Sequence, residues 1–283
     1  MDILQLCYSA IDALLPFEWA GHVFMKNAFL AILLVTPLFG LLSTMVVSNS
    51  MAFFSDSLGH GAFTGIAIGV LLGSVSPLLS LIVFSIVFAI FITWIKNKST
   101  ASADTIIGVF SSIAVALGLM LMTHGGSFNK YATFLVGDIL SITPADLAGL
   151  AVTFVLVVAL WAVLFNRLLV LSINASFARS RGIHAFWVES LFAATLAVVV
   201  SVSIQWVGIL LINALLVLPA AGARNIAWNV KSYHLISVCI SFVSGVTGLI
   251  FAYETNLAAG AAIVMAAAIL FFVSLALRPY FRK

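Results

Sequence analysis

The sequence predicts an all-α bundle that crosses a membrane many times. Three observations carry that prediction. Of 283 residues, 64% are hydrophobic and only 7% are charged, against about a quarter charged in an ordinary soluble domain. The apolar residues come in runs close to the ~20 residues that a spanning helix needs. The basic residues sort to one side of those runs. A soluble enzyme, a disordered chain and a nucleic-acid binder are excluded, because 12 basic and 9 acidic residues cannot solvate a fold of this size.

Charges, Gly, Pro and Asn cut the chain into candidate spans at 28–48, 57–74, 77–95, 104–123, 145–166, 186–203, 206–220, 233–252 and 257–277. The expected architecture is one transmembrane domain over 1–283, of about eight to nine spans. Residues 2–19 carry Asp2, Asp12 and Glu18 on an apolar stretch, the pattern of an interfacial helix. With no basic residue before Lys26 and no small-residue cleavage site, this stretch is expected to stay on the protein. The segment 127–142 sets Lys130 and Asp138 around Phe134-Leu135-Val136 and predicts a short helix at one membrane face. Cys7 and Cys239 read as small buried apolar residues, not as a disulfide framework.

Nine spans put the termini on opposite sides. A cytoplasmic C-terminus places Lys96, Lys98, Arg167, Arg179, Arg181, Arg224, Lys231, Arg278, Arg282 and Lys283 inside, and only Lys26 and Lys130 outside. That is the positive-inside bias of membrane proteins. The outer face collects Asp2, Asp12, Glu18, Asp138, Asp146 and Glu254. The longest inner loop is 167–185, where 172–183 reads as a short polar helix stopped by Gly182. Such an element suits a docking site for a soluble partner or a plain interfacial connector.

The second span carries the unusual chemistry. Asp56 and His60 are four residues apart and share one helix face. A carboxylate and an imidazole so placed can share a divalent cation, or simply pair with each other at a helix start. Ionisable residues entering a membrane are costly, which favours a functional role. Gly61, Gly65, Gly69 and Gly73 follow as a small-residue ridge, for tight helix packing or for lining a narrow path. Asp104 opens the fourth span, where a carboxylate also suits the helix dipole. Asp138 and Glu254 are further acidic candidates at the outer face. His22, His124, His184 and His234 lie near span ends.

Several motifs are absent. The sequence has no GxxxxGK[ST] phosphate loop, no HExxH zinc pair and no GxSxG elbow. Leu135 stands where a GxGD aspartyl protease needs Gly. An ATP site and intramembrane hydrolysis are therefore not expected of this chain.

In order along the chain, Met51-Ala52-Phe53-Phe54-Ser55-Asp56-Ser57-Leu58-Gly59-His60, Gly65-Ile66-Ala67-Ile68-Gly69, Asp104-Thr105-Ile106-Ile107-Gly108, Phe134-Leu135-Val136-Gly137-Asp138-Ile139-Leu140, Ala178-Arg179-Ser180-Arg181-Gly182 and Ala214-Leu215-Leu216-Val217-Leu218-Pro219-Ala220-Ala221 form a pattern. It resembles the membrane permeases of bacterial zinc/manganese ABC importers, the ABC-3 family, over about residues 28–277. Two departures lie on the cytoplasmic side: Asn49-Ser50 stands where the family usually has an Arg pair, and the docking loop opens Asn174-Ala175-Ser176 rather than with acidic residues.

The resemblance implies a type II ABC-importer-like permease in a bacterial cell membrane, without catalysis or a permanently bound cofactor. It implies a homodimer, two ATPase subunits below and an extracytoplasmic metal-binding protein above, with no nucleic-acid partner. Asp56 and His60 would touch the ion, and Asp104, Asp138 and Glu254 are further pathway or outer-face candidates. Phe177, Ala178 and Gly182 would form the contact with the ATPase. The Gly137-Asp138 form favours zinc as the transported ion, with manganese or iron as alternatives. A proton- or ion-coupled secondary carrier is the competing class, and it often shows inverted repeats. No convincing repeat is present.

Overall fold

The computed structural model describes residues 3–14, 18–72, 76–124 and 137–281. Asp2, Gly73, Lys130, Phe134, Leu135, Val136, Arg282 and Lys283 lie outside the described residues. Among the described residues, all regular structure is helical. Helix α1 (Ile3–Leu14) and a 3-10 turn (Glu18–Gly21) precede α2 (Val23–Ser48), α3 (Ala52–Leu72), α4 (Pro77–Lys98) and α5 (Ala103–His124). A second 3-10 turn (Ile139–Ser141) leads to α6 (Pro144–Ile173), the short α7 (Ala175–Ser180), α8 (Ala185–Val207), α9 (Ile209–Ile226), α10 (Val230–Thr255) and α11 (Ala259–Phe281).

Seven of these, α2, α4, α5, α6, α8, α10 and α11, contain stretches long and apolar enough to cross a membrane, and α9 holds a shorter apolar stretch. With α3 they follow the predicted runs in order. The short helix expected over 127–142 is corrected where the chain is described: Gly137 has φ +70°, and one 3-10 turn follows Asp138. The left-handed backbone at Gly137 and the local hydrogen bonding of Asp138 favour a turn there over helix.

Local chemistry sets the helix starts. Thr143 and Asp146 close a capping box at the head of α6, with Pro144 in the first turn. Asn229 and Ser232 do the same for α10. Asp146 is thus a capping residue.

Close contacts hold the centre. Gly40 of α2 leaves no room for a Cβ, which would meet Val238 Cα at 2.8 Å. Ser237 and Ser241 of α10 donate to the Gly40 and Thr36 carbonyls, each at 2.7 Å. Small residues and side-chain hydroxyls thus join α2 to α10, as expected where lipid supplies no hydrophobic drive between helices. Two glycines of the α3 ridge pack closely: Cβ atoms at Gly61 and Gly65 would press on Phe88 at 3.2 Å and Leu81 Cα at 3.0 Å of α4. Cys239 corrects its expectation: it is exposed, on a face of α10 turned to the outside of the bundle, and Cys7 is half-buried.

The helix ends sort into two groups. Ser48, Ser172, Arg224 and Val230 line one cavity, which brings together the ends of α2, α6 and α9 and the start of α10. Lys96 of α4 pairs with Glu189 of α8 at 3.0 Å, and α7 packs on α6 and α8 at the same end. At the other end, Asn27 donates to the Ile142 carbonyl at 3.2 Å, and Gly137, Trp206, Leu257 and Ala259 line a cavity of about 110 Å³. Arg278, in the last turn of α11, therefore lies at the first end with Lys96, Lys98, Arg179, Arg181, Arg224 and Lys231. Lys26 is the one basic side chain at the second end among the described residues. It is buried and paired with Asp12 of α1 at 2.6 Å, with the Tyr8 ring 5.7 Å away.

Candidate functional site: a carboxylate, imidazole and amide cluster on two helices

Asp56 and His60 lie one turn apart on α3, with His60 Nε2 3.4 Å from Asp56 Oδ2. Both are partly exposed, at 45% and 38% of their side-chain surface. Two donors each ~2.1 Å from a tetrahedral ion stand about 3.4 Å apart. The observed separation therefore fits one ion bound by both side chains.

A third group was not singled out from the sequence. Asn213 of α9 donates from Nδ2 to the other carboxylate oxygen, Asp56 Oδ1, at 2.6 Å. A carboxylate accepts only, so this bond fixes the amide orientation and turns Asn213 Oδ1 away. That oxygen is buried and has no hydrogen-bond partner among the described residues. The available signal was a lone amide between Leu211-Ile212 and Ala214-Leu215, a polar group in an apolar run. Its partner on α3, 157 residues away in sequence, was not readable.

The backbone explains the meeting. Asp56 pairs with Asn213, while a Cβ at Gly59 would strike Ile209 at 2.7 Å. Contacts that advance along one helix and retreat along the other define an antiparallel crossing, and Gly59 permits it. Gly208, φ +78°, is the break between α8, which stops at Val207, and α9, which starts at Ile209. A Cβ at Gly137 would sit 2.3 Å from the Gly208 nitrogen, so the Gly137-Asp138 turn is seated on that break.

Asp56 also lines a cavity of about 360 Å³ with Phe53, Asp104, Ile107, Gly108, Ser111 and Ser112. Asp104 thus shares a space with Asp56. Asp138 and Glu254 do not. The Asp138 carboxylate accepts from Leu140 N at 3.1 Å and caps its own turn. Glu254 is exposed in the last turn of α10. Among the described residues, no group of three or more His, Cys, Asp and Glu side chains could hold a metal ion. His234 Nδ1 contacts the Val230 carbonyl at 2.8 Å, and its ring lies against Phe165 and Trp161. His22 stacks on Phe24.

On the basic end, Asn174 caps α7 by accepting from Ser176 N and Phe177 N. Phe177 is 49% exposed, with the Arg181 guanidinium 5.2 Å from its ring centre. Ala178, expected at the partner contact, is fully buried and holds α7 to the bundle. Gly182 has φ +73° and open space around it, so its role is conformational.

The fold defines a multi-pass helical membrane protein, with a polar cluster where two of its helices cross. The chain belongs to the ABC 3 transport family, whose profile matches residues 21–278. It is 31% identical over 276 residues to the manganese import system permease protein ScaB of Streptococcus parasanguinis, covering 96% of this chain and 95% of that protein. It is 30% identical over 237 residues to the high-affinity zinc uptake system membrane protein ZnuB of Haemophilus influenzae, covering 83% and 90%. Among solved structures it resembles PsaBC from Streptococcus pneumoniae in complex with Fab, with a TM-score of 0.78, 30% identity and 94% of both chains covered.

Proposed function

We propose that this chain is the permease subunit of an ATP-driven importer of a divalent transition-metal ion in a bacterial cell membrane. The observation that carries the reading is the Asp56–His60–Asn213 cluster beside a cavity shared with Asp104. Asp56 and His60 contact the ion, and Asn213 holds the carboxylate in place. Hydrolysis of ATP belongs to separate ATPase subunits, and an extracytoplasmic protein delivers the ion.

A homodimer completes the site. One chain supplies Asp56 and His60, and zinc prefers about four ligands. A two-fold partner facing the same axis doubles the set. The exposed face of α5 supports this arrangement, because Asp104, Gly108 and Ser112 lie open there and a polar, small-residue face suits another helix better than lipid. In this arrangement the basic end faces the cytoplasm.

Zinc is the first reading for the ion, because an imidazole and a carboxylate at tetrahedral spacing suit it. Manganese is the second. A second carboxylate, Asp104, lines the cavity that Asp56 lines, and oxygen-rich sets suit manganese. The relatives divide in the same way, ScaB by name importing manganese and ZnuB taking up zinc. Radiolabelled zinc and manganese, each offered to the assembled transporter in vesicles, separate the two. Saturable ATP-dependent uptake of zinc, suppressed by unlabelled zinc more than by manganese, supports the first reading. The reverse order supports the second. ATP-dependent uptake of neither ion rejects the function.

The 167–185 segment transmits ATPase closure, with Phe177 as the exposed contact and Gly182 shaping the end of α7. Val is a poor fit to the left-handed backbone at position 182. Gly182→Val is expected to lower transport about tenfold, the scale of a 1–2 kcal/mol backbone penalty, while ATP hydrolysis continues. Parallel transport and ATPase assays on reconstituted complexes check it; unchanged coupling counts against the assignment.

A further inference from the structure

A second cavity, of about 400 Å³, opens at the basic end of the bundle, away from Asp56. Ser48 of α2, Ser172 of α6, Arg224 of α9, Trp228 in the α9–α10 connection and Tyr233 at the start of α10 line it. Four helices therefore converge around one arginine. No carboxylate lies within ion-pair distance of Arg224 among the described residues, and none lines the cavity. The Tyr233 hydroxyl is buried beside Ser48. Ser172 spends its proton on the Leu169 carbonyl at 2.8 Å, which leaves Arg224, the Tyr233 and Ser48 hydroxyls, the Trp228 indole N–H and the Asn229 amide as side-chain donors.

A guanidinium fork with hydroxyl donors and no competing carboxylate matches the oxygens of a phosphate. The surroundings match a lipid. Trp228 is 72% exposed at the mouth, and Ile173 and Leu235, at 77% and 67%, extend apolar surface outward from the same helix ends. Exposed tryptophan beside basic residues marks the membrane–water interface. Basic pockets between spanning helices on the cytoplasmic side take acidic headgroups.

We propose that this cavity binds a phosphate-bearing anion, supplied in the membrane by the headgroup of an anionic phospholipid. The site is independent of the transported ion and of the Asp56 cluster. The test uses the full-length permease, reconstituted in vesicles of phosphatidylglycerol mixed with phosphatidylcholine. After extraction, native mass spectrometry reads the retained lipid. The unmodified protein is expected to retain phosphatidylglycerol over phosphatidylcholine by about tenfold, and Arg224→Gln to lose that preference while eluting as a single folded species. Tyr233→Phe removes one donor at nearly constant shape and is expected to weaken retention by a smaller factor, about threefold; it serves as the test should Arg224→Gln fail to fold.

A parallel arm measures thermal protection by inorganic phosphate in phosphate-free detergent. Protection by phosphatidylglycerol with little from inorganic phosphate supports the lipid headgroup as the source. Equal protection by both, lost in Arg224→Gln, supports the phosphate site and assigns it to a free anion. Equal retention of both lipids by the unmodified protein, with no protection by phosphate, overturns the proposal. So does an Arg224→Gln variant that keeps the lipid preference and instead loses association with the ATPase subunits, since the arginine would then dock a protein.

Discussion

Metal uptake by the assembled transporter is expected to fall about a hundredfold or more in Asp56→Ala or His60→Ala, with equal amounts of permease in the membrane. Each variant removes one of the two side chains set at the spacing of a shared ion. Asn213→Ala tests a different role. It keeps both α3 side chains but frees the carboxylate from its 2.6 Å bond. Groups that orient a ligand are worth about tenfold to a hundredfold in metal affinity or activity, so Asn213→Ala is expected to fall in that range, below either ligand variant in effect. Uptake assays with zinc, manganese and iron over a concentration series read all three variants. Unmodified uptake of every ion in Asp56→Ala and His60→Ala would show that the pair only stabilises α3.

Gly137→Ala is the second large effect, and Gly182→Ala is its control. Both glycines hold left-handed backbone, at φ +70° and +73°. Either alanine carries the conformational cost of that region, about 1 kcal/mol. Their surroundings separate them. A Cβ at Gly137 would sit 2.3 Å from Gly208 N and 2.5 Å from Val207 C, both backbone atoms at the α8–α9 break. A Cβ at Gly182 meets nothing within 4 Å. Overpacking against rigid surroundings adds about 1–3 kcal/mol or more, so Gly137→Ala is expected to lower the melting temperature and the membrane level of the permease far more than Gly182→Ala. Equal melting of the two variants would mean that the 137–142 turn does not bear on the break.

The break at Gly208 links these two results. Asn213 stands five residues after it and reaches Asp56, while the 137–142 turn rests on it from the other side. Disturbing that turn is therefore expected to reach the cluster through the placement of α9. The Asp138 carboxylate contributes by capping its own turn.

Membrane residence was legible from the sequence, because the physics behind it is local: a spanning helix is a run of apolar residues, and 7% charge leaves no other class. The order of the helices and the grouping of basic residues at one end followed from the same runs. Asp56 and His60 were readable as a pair because a four-residue spacing fixes their common face before any packing. The third member was not. Asn213 gains its role from an antiparallel crossing between helices far apart in sequence, made possible by Gly59. Ala178 and Cys239 show the same limit: in a chain this apolar, hydrophobicity does not tell a bundle-facing side from a lipid-facing one. One is fully buried and the other exposed. Periodicity and composition are properties of a segment and were fixed by the sequence itself. Which faces meet is decided by close packing between segments, and only the tertiary structure determined that.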